Sequence, residues 1–213
     1  MVRIAVLVSG GGTNLQALID AQARGELKNG AIAAVISSKP GAYALERAEK
    51  AGIPGYVVAR KEFSSNREMT LALVDKLREL DIGLVVLAGF MHILTGEMVA
   101  AYPNAILNVH PALIPSFCGA GYYGLHVHEA ALVYGVKVTG ATVHFVNEEP
   151  DGGPIVLQKA VEILEGDTPE VLQRRVMEQA EWRILPQAVS LFCEGRLSVE
   201  GRLVHIKQDK ESK

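Results

Sequence analysis

The run Ile4-Ala5-Val6-Leu7-Val8 is apolar at every position and stops at Ser9-Gly10-Gly11-Gly12. A strand with no polar face has to be covered on both sides, as a buried parallel strand is. Such a strand commits the chain to alternation, because a parallel neighbour is reached only through a crossover, usually a helix. The next hundred residues read that way. Leu15, Leu18 and Ile19 recur at helical spacing up to Gly25; Ala31 to Ile36 reads as a strand, with a helix after it ending at Gly52. Tyr56 to Val58 precedes a helix over Asn66 to Leu80, Leu84 to Leu87 precedes a short helix over Thr95 to Ala101, and Ala105 to Val109 makes the fifth strand. The fold class expected is α/β, a doubly wound, mostly parallel, Rossmann-like sheet.

After His110 the texture changes to proline, glycine and aromatic residues through Gly124, a connection long enough to suggest a functional loop. A helix over Val127 to Tyr134 then leads to two β-rich stretches, Lys137 to Val146 and Ile155 to Ile163, expected to pair antiparallel. Thr168-Pro169 starts a long helix with Leu172, Val176, Ala180, Ile184, Ala188 and Phe192 on one face, and Pro186 is expected to kink it. With no repeat and no linker, the chain reads as a single domain over 1–205 with a polar tail at 206–213.

Composition narrows the partners. The charge balance is 21 Lys and Arg against 24 Asp and Glu, a net −3, which gives no footprint for nucleic acid or an anionic membrane. The longest apolar run, Ile82 to Met91, is half of the roughly 20 residues that span a bilayer. No signal-peptide order opens the chain, so it is expected in the cytoplasm, acting on small molecules as a monomer or homodimer. The 2 cysteines, Cys118 and Cys193, have no metal-site spacing, and Cys118 is read as inert.

Three sets of residues could carry chemistry. The glycine turn lacks the third glycine of a dinucleotide fingerprint, since Leu15 stands there; Ser37-Ser38 supplies no ribose-binding acid, and no P-loop lysine follows. NAD is therefore not expected. The turn with Thr13 and Asn14 is either a seat for one phosphate or a tight turn that only caps its helix. Asn108 and His110 alternate onto one face at the carboxyl end of the fifth strand, where open α/β sheets bind ligands. An amide beside an imidazole suits a carbonyl passing through a tetrahedral oxyanion, although the same pair can simply satisfy loop backbone. His144, in an apolar strand, reads as a hydrogen-bonded core residue assisting the site, and Asp151 as a turn residue unless the turn folds back over the sheet edge.

Taken together, the segments SGGGTN, LAGFMHIL, LNVHPALIPS, VHFV and DGGP resemble the glycinamide ribonucleotide formyltransferase family of purine biosynthesis, over about residues 2 to 200. The resemblance implies direct transfer of a formyl group from 10-formyltetrahydrofolate, a co-substrate, to the amine of glycinamide ribonucleotide through a tetrahedral intermediate, with no metal. It implies catalytic roles for Asn108, His110 and Asp151, with His144 assisting. Gly12, Thr13 and Asn14 would hold the acceptor's phosphate and Glu181 its ribose. Folate would meet Arg67, Leu87, Phe90, Met91, His92, Ile93, Leu94, Val99 and Val146, with backbone from Asn147, Glu148, Glu149, Pro150 and Asp151. The implied division is a phosphate-binding half over about 1–110 and a folate-binding half over about 111–205. Departures from the family pattern are His92 for arginine, Ala112 for serine, Trp182 for histidine, a long 117–123 loop, and one extra residue between Arg175 and Glu181. The alternatives are a formyltetrahydrofolate deformylase, expected to carry an added N-terminal domain; a methionyl-tRNA formyltransferase, expected to be basic with a C-terminal domain; and a catalytically silent folate- or nucleotide-binding protein.

Overall fold

A computed structural model describes residues 1–208; residues 209–213 of the expected tail lie outside the described residues. The chain alternates β1 (Val2–Val8), α1 (Thr13–Ala23), β2 (Gly30–Ser37), α2 (Tyr43–Lys50), β3 (Gly55–Val57), α3 (Asn66–Glu79), β4 (Leu84–Leu87), α4 (Gly96–Ala101) and β5 (Ile106–His110). It continues as α5 (Leu125–Tyr134), β6 (Val138–Phe145), β7 (Ile155–Glu162), α6 (Pro169–Val176), α7 (Trp182–Cys193), β8 (Leu197–Glu200) and β9 (Leu203–Ile206). The main sheet has the order β3-β2-β1-β4-β5-β6-β7. Its first five strands are parallel, and β6 and β7 add antiparallel to one side.

The apolar alternation of β1 explains its central place. Ile4, Val6 and Val8 pack into the layer with α1, α6 and α7, while Ala5 and Leu7 face the layer with α3 and α4. All five side chains are fully buried, so no face of β1 is left to water. Two helices start where sequence chemistry places them. Ser65 accepts the Glu68 N–H at the head of α3, and Thr168 accepts the Val171 N–H ahead of Pro169 in α6.

Two features were not read from the sequence. The break in helical register falls ahead of Pro186, at a π turn over Met177–Glu181 where the Trp182 N–H bonds Met177 O; Pro186 sits inside α7. A π turn holds one residue more than a regular helical turn does. The chain also forms the β8–β9 hairpin around Gly201-Arg202, so regular structure runs through Ile206.

The β6–β7 connection depends on two close backbone approaches. A Cβ on Gly140 would lie 2.1 Å from Lys159 O, and one on Gly153 would lie 1.7 Å from Phe145 O. Gly153→Ala is expected to lower stability by about 3 kcal/mol in urea unfolding, because the turn must move. Gly10→Ala, with nothing within 4 Å of the added methyl, is expected to stay within about 0.5 kcal/mol.

Candidate active site

The antiparallel register of β5 and β6 sets Asn108 opposite His144 and His110 opposite Thr142, so side chains from both strands share one face. The β6–β7 turn then brings Asp151 against them. Asp151 has a left-handed backbone, φ 54°, just before the two glycines whose close packing fixes the turn. Its Oδ2 lies 3.5 Å from His110 Nδ1 and accepts the Gly119 N–H at 2.9 Å. Its Oδ1 lies 3.5 Å from Asn108 Nδ2 and 3.6 Å from His144 Nε2.

Hydrogen bonding assigns the His144 tautomer. Its Nδ1 lies 2.8 Å from Phe145 O, which can only accept, so Nδ1 carries the proton. Its other nitrogen, Nε2, lies 3.2 Å from Asn108 Nδ2 and faces Asp151, and contacts to His144 and Asp151 together orient the Asn108 amide. His110 is held differently: its Nε2 donates to Phe117 O at 2.8 Å. Burial depresses the His110 pKa, and the opposing pull of the Asp151 charge and the Phe117 carbonyl does not restore it. Burial raises Asp151, but contacts to His144, His110 and the Gly119 amide outweigh it and leave the carboxyl below its ordinary value. The resting pair is therefore a neutral imidazole beside a carboxylate.

Asn108 and His144 floor a cleft walled by Leu87, Phe90, His92, Ile93 and Leu94 on one side and by Val146 and 147–151 on the other, and His110 lies behind it against Asp151. The expected residues Arg67, Met91 and Val99 do not line it. Arg67 pairs with Glu97 at 2.5 Å on the surface, Met91 is 51% exposed, and Val99 is half-buried on α4. His92 does line the cleft, with a buried Nε2 that has no partner. Largely apolar walls with a few polar groups at the floor fit a flat heterocycle carrying hydrogen-bonding groups. The cleft draws on both halves of the chain.

The glycine turn lies alongside, after β1. Gly12 has φ 70°, and a Cβ there would meet Ala44 Cβ at 2.7 Å, so both conformation and space require glycine. No side chain caps α1, which leaves its first N–H groups to a ligand. The Thr13 hydroxyl faces Met177 Sδ at 3.7 Å. Asn14 Nδ2 donates to Glu181 Oε2 at 2.6 Å, joining the start of α1 to the end of the π turn. Glu181 is buried, and desolvation pushes its pKa to about 7 against the Asn14 bond. Asn14 Oδ1 is buried without a partner.

The long loop after β5 was expected to be functional, but the contacts through which it and its neighbours act were not found from sequence. The 111–124 loop folds onto the site through Phe117 O and Gly119 N–H, and its start is pinned by Thr142 Oγ1, which donates to Ala112 O and accepts from Ile114 N–H. Gln158 reaches the same knot, bonding Ile114 O and Thr142 Oγ1. Thr142 is two residues from His144, and that period-2 spacing was the available signal. His128 on α5 is 1% exposed with neither ring nitrogen partnered, and burial above all, with His110 acting in the same direction, lowers its pKa to about 4. Cys118 has a thiol pushed up by burial, Asp151 and Glu149. Among the described residues, no cluster of three or more His, Cys, Asp or Glu could hold a metal ion, and no helix is long and apolar enough to cross a membrane.

Residues 2–189 match the family model described as formyl transferase. The phosphoribosylglycinamide formyltransferase of Haemophilus influenzae is 46% identical over 206 residues, which is 97% of this chain and 94% of that protein. The structure of glycinamide ribonucleotide transformylase 1 from Symbiobacterium toebii superposes with a TM-score of 0.92 at 47% identity, covering 98% of this chain and 95% of that one. A formyltetrahydrofolate deformylase from Pseudomonas syringae shares the fold with a TM-score of 0.86, but at 27% identity and over 97% of this chain and 66% of its own. The chain belongs to the formyl transferase family.

Proposed function

We infer that this protein transfers the formyl group of 10-formyltetrahydrofolate to the amine of glycinamide ribonucleotide in purine biosynthesis, giving formylglycinamide ribonucleotide and tetrahydrofolate. The observation that carries the reading is the convergence of Asn108, His144 and Asp151 on one cleft, with His110 in contact with Asp151 and an uncapped glycine turn after the neighbouring strand. In this reading the cleft takes the pteridine end of the donor, the Gly12–Asn14 N–H groups take the acceptor's phosphate, and Glu181 takes its ribose. Neither NAD nor a metal has a part in it.

In this reading each residue role is supported by geometry and charge. The Asn108 amide, oriented by His144 and Asp151, donates to the carbonyl oxygen as the formyl carbon becomes tetrahedral. His110 gives up Phe117 O to place its Nε2–H on the same oxygen, donating as a neutral imidazole while that oxygen turns negative, with Asp151 on its Nδ1 side. Asp151, ionised at rest, accepts the proton from the incoming amine and returns it through water to the departing nitrogen. No enzyme nucleophile is required, and Cys118 has none of the activation that one would need.

A spectrophotometric assay with 10-formyltetrahydrofolate, with and without glycinamide ribonucleotide, tests the assignment: tetrahydrofolate release is expected only with the acceptor. Release without it would make the protein a deformylase.

Asp151→Asn keeps the shape and removes charge and basicity, so kcat is expected to fall by about 10²-fold or more with both dissociation constants nearly unchanged. Near-normal turnover would return Asp151 to the role of a turn residue.

Glu181, with a pKa raised to about 7, is protonated below that value and ionised above it. Only the carboxylate offers all its lone pairs to ribose hydroxyls, so acceptor KM is expected to rise as pH falls through 7. Glu181→Gln should give a KM independent of pH over that range; a persisting pH dependence would assign it to another group.

A further inference from the structure

Ser9 closes β1, is 4% exposed and directly precedes Gly10–Gly12. Its Oγ accepts the Met91 N–H at 2.9 Å and lies 2.7 Å from Ser38 Oγ, a residue 3% exposed. One hydroxyl thus connects the ends of three neighbouring strands, β4, β1 and β2, at the place where strand order reverses.

The two segments it joins serve different regions. From Ala88 to Thr95 the chain has no helix or strand, yet it supplies one wall of the cleft. That wall is anchored at its ends by Ala88 N–H to Leu7 O and Thr95 N–H to Thr70 Oγ1, with the Met91–Ser9 bond between them. The glycine turn has anchors of its own, Ala44 N–H to Gly10 O and Arg47 Nε to Gly11 O. Removing the Ser9 hydroxyl therefore leaves the turn seated but strands a backbone N–H beside the cleft wall.

We propose that Ser9 is a positioning residue whose hydroxyl links the acceptor's phosphate turn to the donor's cleft wall, so that seating either substrate favours the seating of the other. This rests on the assignment of substrates to regions made above. A link of this kind is reciprocal by thermodynamic necessity, and it sets the approach of amine to formyl carbon, where a small misplacement is costly in rate.

The test measures the dissociation constant of tetrahydrofolate by calorimetry, with and without saturating glycinamide ribonucleotide, for the full chain and for Ser9→Ala. The acceptor is expected to tighten tetrahydrofolate by about fivefold or more in the unsubstituted protein. In Ser9→Ala the effect is expected to fall below about twofold, while each ligand alone binds within about twofold of its original affinity and kcat drops roughly tenfold. Unsubstituted protein without coupling, or Ser9→Ala with coupling intact, overturns the proposal. Should Ser9→Ala fail to fold, Ser38→Ala decides instead: it removes the outer bond and is expected to weaken the coupling, and unchanged coupling overturns the proposal. Tetrahydrofolate release by the unsubstituted protein without acceptor would overturn the assignment of function, a result that no Ser9 variant enters.

Discussion

β1 and β4 lie side by side, yet the chain leaves them for opposite layers: α1 packs with α6 and α7, and α4 packs with α3. Two connections that diverge from adjacent strand ends leave a crevice that neither helix layer covers. Everything chemical in the molecule is arranged around that crevice. The glycine turn leaves one lip and the Ala88–Leu94 segment leaves the other, and β5, one strand further along, delivers Asn108 and His110 at the same height. Parallel strands are what make this possible, since they present all their carboxyl ends to one edge.

The antiparallel strands β6 and β7 add what parallel strands cannot, a tight turn at that same edge. The turn returns Asp151 to within 3.6 Å of both imidazoles and holds it there by glycine contacts too close for any side chain. Its electrostatics are a contest between burial and partners. For Asp151 the partners win and the group is an anion; for His110 burial wins and the ring is neutral. The difference follows from the Gly119 N–H and two rings surrounding the acid, whereas the imidazole has one charged neighbour.

What was legible in the sequence was local. The five βα units, the placement of Asn108 and His110 at a strand end, and the starts of α3 and α6 all follow from periodicity, glycine and capping chemistry within short windows. What was not legible depends on register. The Asn108–His144 pair exists because β5 and β6 are aligned at that position, and the Asn14–Glu181 bond joins residues 167 apart. The Phe117 and Gly119 contacts come from a loop without periodicity, and the β8–β9 hairpin from strands of 4 residues, shorter than alternation can mark clearly. The resemblance named Asp151 and Glu181, but their charge states come from burial and neighbours that a sequence does not display. It also named Arg67, which stands on the surface paired with Glu97.

The wide turn at Met177–Glu181 bears on how a protein of this architecture can change length. A residue added to a regular α-helix swings everything after it by about 100°, which would turn the buried stripe of Ile184, Leu185, Ala188 and Val189 away from the sheet. Confined to five residues, the excess is absorbed before α7 begins, and that stripe keeps its place. The segment works as an expansion joint: it takes up a residue without turning the core stripe of α7, while Glu181 remains beside the start of α1.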